Sequence, residues 1–258
     1  MPIAADDPRL THAYEAASTR YTDVPFQRAG ASGIQLPKVS LGLWQNFGRD
    51  RSFDSQREIV LHAFDRGVVH IDLANNYGPP YGSAESTFGA VLDSGLGRYR
   101  DELFVTTKAG YDMWPGPFGD GGSRKYLTRS LEQSLQRMNT DYVDVFYSHR
   151  PDSETPLEET VTALVDIVRS GKALYVGISN YPADLARQAY ELLADQGMKL
   201  LLHQPRYSLF DRTPEAELFP ALRGLKVGSA VFSPLAQGLL TGKYIDGDVP
   251  ADSRAANS

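Results

Sequence analysis

Short apolar runs alternate with amphipathic stretches along most of this chain. The runs fall at residues 39–43, 69–73, 103–107, 142–148, 173–178, 200–203 and 227–232, and each gives way to a polar or glycine-containing segment. Such runs read as buried strands. Between them, residues 55–66, 83–92, 123–137, 157–170, 182–196 and 214–223 repeat apolar positions at helical spacing, as in Leu127, Leu131, Leu135 and Met138. Gly67, Gly171 and Gly197 stand where these helices should stop. Ahead of the first run, residues 26–28 and 34–36 flank Ala29-Gly30-Ala31-Ser32-Gly33, a small hairpin signal.

Each strand–helix repeat takes roughly 30 residues, the size of one βαβ unit. Strands alternating with helices predict a parallel sheet covered by helices, and this many units in succession predict a (β/α)8 TIM barrel with an N-terminal β-hairpin. A doubly wound open sheet is the structural rival. It normally carries a glycine-rich dinucleotide fingerprint after its first strand, where this chain has Trp44-Gln45-Asn46-Phe47-Gly48. The pattern supplies seven strands, whereas a barrel closes on its eighth. The expectation is therefore an N-terminal extension over residues 1–22 and a barrel domain over 23–258 that is incomplete at its C-terminal end, the native chain continuing past Ser258.

A barrel carries its chemistry where strands end and βα loops begin. The second strand ends in Asp72 and is followed by Tyr77, the third ends in Lys108, and the fourth leads into His149 and Arg150. A phenol ordinarily titrates near pH ~10. A neighbouring ammonium favours the phenolate and lowers that value. A carboxylate such as Asp72 holds the lysine charged, and a histidine on the next strand donates a hydrogen bond to a carbonyl oxygen. Together Tyr77, Lys108, Asp72 and His149 make a set that polarises a carbonyl and hands it a proton. Hydride has to come from a cofactor.

Each residue also has a plainer reading. An isolated Asp72–Lys108 pair is as readily a structural ion pair. A lone histidine is more often a satisfied hydrogen-bonding residue, and Tyr77 is one of 14 tyrosines. His70 reads as structural. Lys108 has a sharper rival role, that of a desolvated Schiff-base amine in a lyase. The aromatic stretch Tyr111 to Phe118, with Trp114, is placed to wall a substrate pocket. Gly238-Leu239-Leu240-Thr241-Gly242-Lys243 only superficially resembles a phosphate loop, with one residue too few between its glycines and no terminal Ser or Thr. No histidine–carboxylate cluster has metal spacing.

Composition narrows the setting. A formal net charge of −6 argues against nucleic-acid binding. The chain has no cysteine, which removes disulfides and thiolate chemistry and fits a cytoplasmic location. No apolar run approaches the length of a membrane span.

On these motifs the chain resembles the aldo-keto reductase superfamily. The likeness runs from Phe26 to Ser258. It is carried by Asp72-Leu73-Ala74-Asn75-Asn76-Tyr77-Gly78, Thr107-Lys108, Ser148-His149-Arg150-Pro151-Asp152, Gly177-Ile178-Ser179-Asn180 and the stretch from Pro234 to Tyr244, all in the superfamily's order. The segments at 41–48, 108–117 and 170–177 are similar to those of bacterial L-glyceraldehyde 3-phosphate reductases, relatives of the potassium-channel β subunits.

The resemblance implies an NADPH-dependent reductase of small carbonyl compounds such as L-glyceraldehyde 3-phosphate or methylglyoxal. Tyr77 would be the acid, tuned by Lys108 and Asp72, with His149 orienting the carbonyl. Ser179, Asn180 and Gln204 would hold the nicotinamide amide, Tyr207 would stack on its ring, and Trp44 would lie beside it. Ser233, Pro234, Leu235, Gln237 and Gly238, with Lys243, would take the pyrophosphate of NADP+, and Arg254 would lie near the adenine. Trp44, Trp114 and Arg150 would line the substrate pocket. The sequence is compatible with a homo-oligomer, and the resemblance to channel β subunits gives as an alternative a cofactor-binding regulatory subunit.

Overall fold

Two of the segments expected to be strands are amputated to a pair of residues, yet the order of the sheet is the one the pattern predicts. The computed structural model describes residues 14–245, 249–251, 253 and 256. A hairpin comes first, β1 (Phe26–Arg28) pairing antiparallel with β2 (Gln35–Pro37). Then β3 (Leu41–Gly42), β4 (His70–Asp72), β5 (Phe104–Ala109), β6 (Val143–Ser148), β7 (Ala173–Ser179), β8 (Leu200–Gln204) and β9 (Gly228–Ser229) form a seven-stranded sheet in chain order. Every neighbouring pair in it is parallel. Helices α1 (Phe53–Asp65), α2 (Ser83–Asp93), α3 (Arg124–Met138), α4 (Leu157–Arg169), α5 (Ala183–Asp195) and α6 (Leu218–Leu225) alternate with the strands.

Sheet order identical to chain order, with a helix in nearly every crossover, is the arrangement of a (β/α)8 barrel. The sheet curls as a barrel does. Gln204 at the end of β8 reaches Asp72 at the end of β4, Nε2 to Oδ1 at 3.1 Å, although three strands separate them in the sheet. Among the described residues no eighth strand joins β9 to β3.

Period-two alternation sorts each strand into an inner and an outer face. Outward residues such as Ile71, Phe146, Val176 and Ile178 join Phe64, Phe88, Leu131, Leu164 and Ala186 of the helices in the main apolar core. Inward residues Phe104, Val145, Tyr147 and Leu202 form a smaller cluster with Ala29 and Leu36 of the hairpin. The hairpin thus seats at the N-terminal end of the strands, where Ala31 N also bonds Lys226 O at 3.0 Å. The opposite end of the barrel is left for polar groups.

Local signals set the boundaries. Ser52 and Ser123 cap α1 and α3, their hydroxyls accepting from Ser55 N and Tyr126 N. Gly67 turns the chain out of α1 at φ +74, where a Cβ would stand 2.4 Å from Arg20 O. Residues 14–22 lie back on this region, with Tyr14 OH on Asp65 at 2.6 Å and Arg20 on Glu102 at 2.7 Å.

The first strand, expected over 39–43, keeps only Leu41–Gly42, and Val39 stands 66% exposed outside it. The last, expected over 227–232, keeps only Gly228–Ser229; Phe232 returns as an isolated bridge to Arg206. The helix expected over 214–223 divides into a 3₁₀ turn, Thr213–Glu215, and α6. The pattern gives no sign of the 3₁₀ helix Leu96–Glu102. No helix among the described residues is long and apolar enough to cross a membrane.

Candidate active site

β4 and β5 run in register, Asp72 beside Thr106. Alternation along them points His70, Asp72, Thr106 and Lys108 to the inside of the curl, while Thr107 faces out toward Glu85 of α2. Two strand ends therefore deliver a carboxylate and an ammonium to one buried spot.

Lys108 is fully buried and uses all three of its protons. Nζ donates to Asp72 Oδ2 at 2.7 Å, to the Leu73 carbonyl at 2.6 Å and to the Tyr77 hydroxyl at 3.3 Å. Asp72 is closed from its other side. Oδ1 accepts from Thr106 Oγ1 at 2.7 Å and from Gln204 Nε2 at 3.1 Å. Removing one partner of a buried ion pair this well bonded costs about 3–5 kcal/mol, since the other charge is stranded.

Burial alone would raise the Asp72 carboxyl, but the Lys108 ammonium and the hydrogen bonds from Lys108 and Thr106 outweigh it and hold Asp72 below its ordinary value. Burial would likewise lower Lys108, and the charge of Asp72 outweighs it and raises the ammonium. Lys108 is thus a fixed cation with its protons committed, which removes it as a Schiff-base nucleophile. For Tyr77 the balance goes the other way. Burial pushes the phenol up by more than the Lys108 ammonium pulls it down. The lowering expected from Lys108 alone is reversed, and Tyr77 stays protonated at neutral pH, in the form of a proton donor.

His149 follows β6 and is 8% exposed. Burial, with Lys108 adding to it, lowers its imidazole to about 3, so the ring is neutral. Its Nδ1 is buried with no hydrogen-bond partner among the described residues. The ring meets Tyr77 edge-on at 6.0 Å between centroids, and Tyr111 meets it edge-on at 4.7 Å. On the other side of Tyr77, Trp44 stacks at 6.1 Å with 27° between planes, and it remains 45% exposed. A phenol, a neutral imidazole and an open indole face thus meet at the mouth of the sheet.

A pocket beside this mouth is lined by Tyr81, Asp112, Met113, Trp114 and Asp120. Trp114 leans on Tyr126 at 5.1 Å, as a wall of that pocket. Tyr126 in turn bonds the Tyr111 carbonyl and accepts from Asn75 Nδ2, so the loop is fastened to the helix layer. Arg150 is turned into the same loop. Its Nε donates to Gly110 O at 2.7 Å, its outer nitrogen pairs with both oxygens of Asp120 at 3.0 Å, and its guanidinium covers the Tyr111 ring. It braces the pocket wall instead of projecting a free charge.

The residues expected to hold a cofactor gather at the ends of β7, β8 and β9. Ser179 Oγ donates to Gln204 O at 2.8 Å, and Asn180 Nδ2 donates to His149 O at 3.0 Å and to Ser179 Oγ at 3.2 Å. Asn180 sits in the left-handed region at φ 61. Gln204 adds a contact that sequence reasoning missed, since its amide nitrogen is on Asp72. Tyr207 is fixed by its hydroxyl on Glu215 at 2.6 Å and by a T-shaped contact with Phe219 at 5.1 Å.

The loop after β9 carries Ser233, Ala236 and Gln237 at φ 56, 49 and 58, then Gly238 at φ 100. Left-handed non-glycines cost of order 1–3 kcal/mol each, and here the backbone turns back on itself, Ala236 N donating to Ser233 O at 3.0 Å, Gly238 N to Leu235 O at 2.9 Å and Leu239 N to Ala236 O at 3.2 Å. Pro234, Leu235 and Gln237 are exposed along it, as is Lys243 beyond it. The Ser179–Asn180–Gln204 cluster, bonded to the His149 carbonyl and to Asp72, has the donors and acceptors that the amide of a nicotinamide head needs. Arg254 lies outside the described residues. No group of three or more metal-ligating side chains occurs among the described residues.

The aldo/keto reductase family model matches residues 38–258. The chain is 56% identical over 236 residues to a protein of Escherichia coli (strain K12) named L-glyceraldehyde 3-phosphate reductase, which takes in 91% of this chain and 68% of that one. It is 37% identical over 235 residues to a probable voltage-gated potassium channel subunit beta of Oryza sativa subsp. japonica, taking in 90% of this chain and 70% of the other. The order of the strands, the grouping of Asp72, Tyr77, Lys108 and His149, and these similarities agree: the chain belongs to the aldo/keto reductase family and is an oxidoreductase.

Proposed function

We propose that the protein reduces small aldehydes and ketones to alcohols with NADPH, the proton coming from Tyr77. The observation that carries this reading is the chain Asp72–Lys108–Tyr77, with links of 2.7 and 3.3 Å, ending in a phenol that faces a neutral His149 across an open mouth. NADPH supplies the hydride to the carbonyl carbon when it is bound. The remaining work belongs to side chains. His149 donates a hydrogen bond to the carbonyl oxygen and fixes its direction. Tyr77 O–H transfers its proton to that oxygen as negative charge builds there. The Lys108 ammonium stabilises the phenolate left behind, and Asp72 keeps Lys108 charged.

Ser179, Asn180 and Gln204 would hold the nicotinamide amide, Tyr207 and Trp44 would bound its ring, and the 233–238 loop with Lys243 would take the pyrophosphate. Trp44 and Trp114 would bound the substrate. Arg150 would act through the loop it braces. L-glyceraldehyde 3-phosphate is the first candidate substrate, on the name of the E. coli relative. Methylglyoxal is the second, as a small carbonyl whose recognition needs no charged partner.

Steady-state oxidation of NADPH in the presence of either compound tests the reading. Turnover with at least one, and little with NADH, is expected. Tight NADPH binding without turnover of any carbonyl would favour the second reading, a cofactor-binding regulatory subunit, for which the name of the rice relative is the observation.

A further inference from the structure

His70 is 1% exposed at the inner face of β4, and both its ring nitrogens are engaged. Nδ1 lies 2.7 Å from Ser40 Oγ, and Nε2 lies 3.3 Å from Thr106 Oγ1. Thr106 is fully buried and lies 2.7 Å from Asp72 Oδ1. With the His70 ring neutral, proton counting fixes the direction of every link. Asp72 is an ionised carboxylate and can only accept. Thr106 must spend its single proton on it. The Thr106 oxygen then has only lone pairs to offer His70, so His70 Nε2 carries the hydrogen. Its Nδ1 is consequently the bare nitrogen, and Ser40 donates to it. Ser40 itself is solvent-exposed. A polarised chain thus runs from the surface at Ser40, through two fully enclosed groups, to the far side of the carboxylate that holds Lys108.

We propose that Ser40, His70 and Thr106 are positioning residues, a hydrogen-bond chain aimed at Asp72 that keeps its carboxylate ionised and turned toward Lys108. The proposal rests on the reading of Asp72, Lys108 and Tyr77 as the reducing machinery. A rotor such as the Thr106 hydroxyl has other acceptors in reach, among them Ile71 O at 3.5 Å. The His70 N–H occupies its lone pair and leaves the Asp72 direction as the one that satisfies all three groups. The charges that face His70 are Asp72 from its own strand and Lys108 from β5, and the Phe104 ring stands edge-on at 5.4 Å. Burial, with the opposed pulls of Asp72 and Lys108, lowers the imidazole to about 4, so it remains the neutral donor the chain requires at pH 7.

The test uses the full chain as wild type, Thr106→Val, Thr106→Ser and Ser40→Ala, read at pH 7 by kcat and KM for NADPH-dependent methylglyoxal reduction and by ¹⁵N shifts of the imidazoles. In Thr106→Val, kcat should fall roughly tenfold while KM changes less than about twofold. Thr106→Ser should restore kcat, and Ser40→Ala should lower it about twofold with KM unchanged. The wild-type His70 ring should be the Nε2–H tautomer. An unchanged kcat in Thr106→Val, or a His70 ring protonated on Nδ1 alone, overturns the proposal. Should Thr106→Val not fold, the tautomer and the kcat of Ser40→Ala decide. Should wild type turn over no carbonyl, the proposed function fails, and the tautomer alone decides the chain.

Discussion

Two neighbouring residues of β5 lead to two buried ion pairs on opposite sides of the same strand. Lys108 points in, to Asp72 at 2.7 Å. Thr107 points out, its hydroxyl 2.6 Å from Glu85, which is fully buried on α2 and pairs with Arg137 of α3 at 2.7 Å. The components are alike: a carboxylate, a cation and a threonine. What differs is where the cation points next. Arg137 sends Nη2 back to Ser134 Oγ of its own helix at 3.3 Å, and the outer set ties β5, α2 and α3 together. Lys108 gives its last proton to Tyr77, whose hydroxyl stands at the mouth between Trp44 and His149. A buried charge pair says little about function by its composition; the group at its open end decides.

The comparison can be broken by mutation, and the largest effect belongs to the inner pair. Lys108→Met should remove at least about a hundredfold of carbonyl reduction and destabilise the protein by roughly 3–5 kcal/mol, because Asp72 is left buried and unpaired. Kinetics and urea unfolding read the two losses separately. Arg137→Met should cost about 3 kcal/mol in the same unfolding experiment, by the same stranding of Glu85. Its kcat at a temperature where it is folded should stay within a few-fold of wild type, about 1 kcal/mol at most. If kcat in Arg137→Met collapsed as in Lys108→Met, the outer pair would not be merely a tie between helices.

pH gives a finer cut. His70, His149 and His203 are buried neutral, burial lowering them to about 4, 3 and 4. An unfolded histidine takes up its proton near pH ~6.5, so between that pH and the folded value the unfolded state binds more protons. Stability is therefore lost as pH falls through this window, by up to about 1.4 kcal/mol per pH unit for each ring. Asp72 acts lower. Its depressed folded value gives stability that is full above about pH 4 and is lost as pH falls through that folded value. Urea unfolding at pH 7 and pH 5 should differ by several kcal/mol, and equal midpoints at the two pH values would contradict the buried neutral assignment.

Much of this site was legible in the sequence because it lies at strand ends. Asp72 and Lys108 close apolar runs, and Tyr77 and His149 follow directly, so the barrel pattern alone brought the four into one place. Thr106 is legible too, since period two puts it on the face of Lys108. Gln204 on Asp72 was not readable, since only the curl of the sheet brings β8 to β4. The direction of the Tyr77 shift is not readable either, for a related reason. Its neighbour Lys108 is visible in sequence, but the burial that outweighs it is a property of the folded mouth. The partner of Arg150 is likewise not readable, since Asp120 lies thirty residues away in the chain. The ragged strands β3 and β9 were overextended because Val39 and Val231 are apolar yet exposed.

The most direct test replaces one oxygen atom. Tyr77→Phe removes the hydroxyl that Lys108 contacts and leaves the aromatic packing with Trp44 and His149 in place. Carbonyl-dependent NADPH oxidation by wild type and Tyr77→Phe should be measured side by side, with NADPH binding followed by fluorescence in both. The account predicts binding within a few-fold of wild type and turnover reduced by roughly 10²–10⁴, the range of a lost general acid. Tyr77→Phe turning over as wild type does would contradict the central claim that Tyr77 supplies the proton.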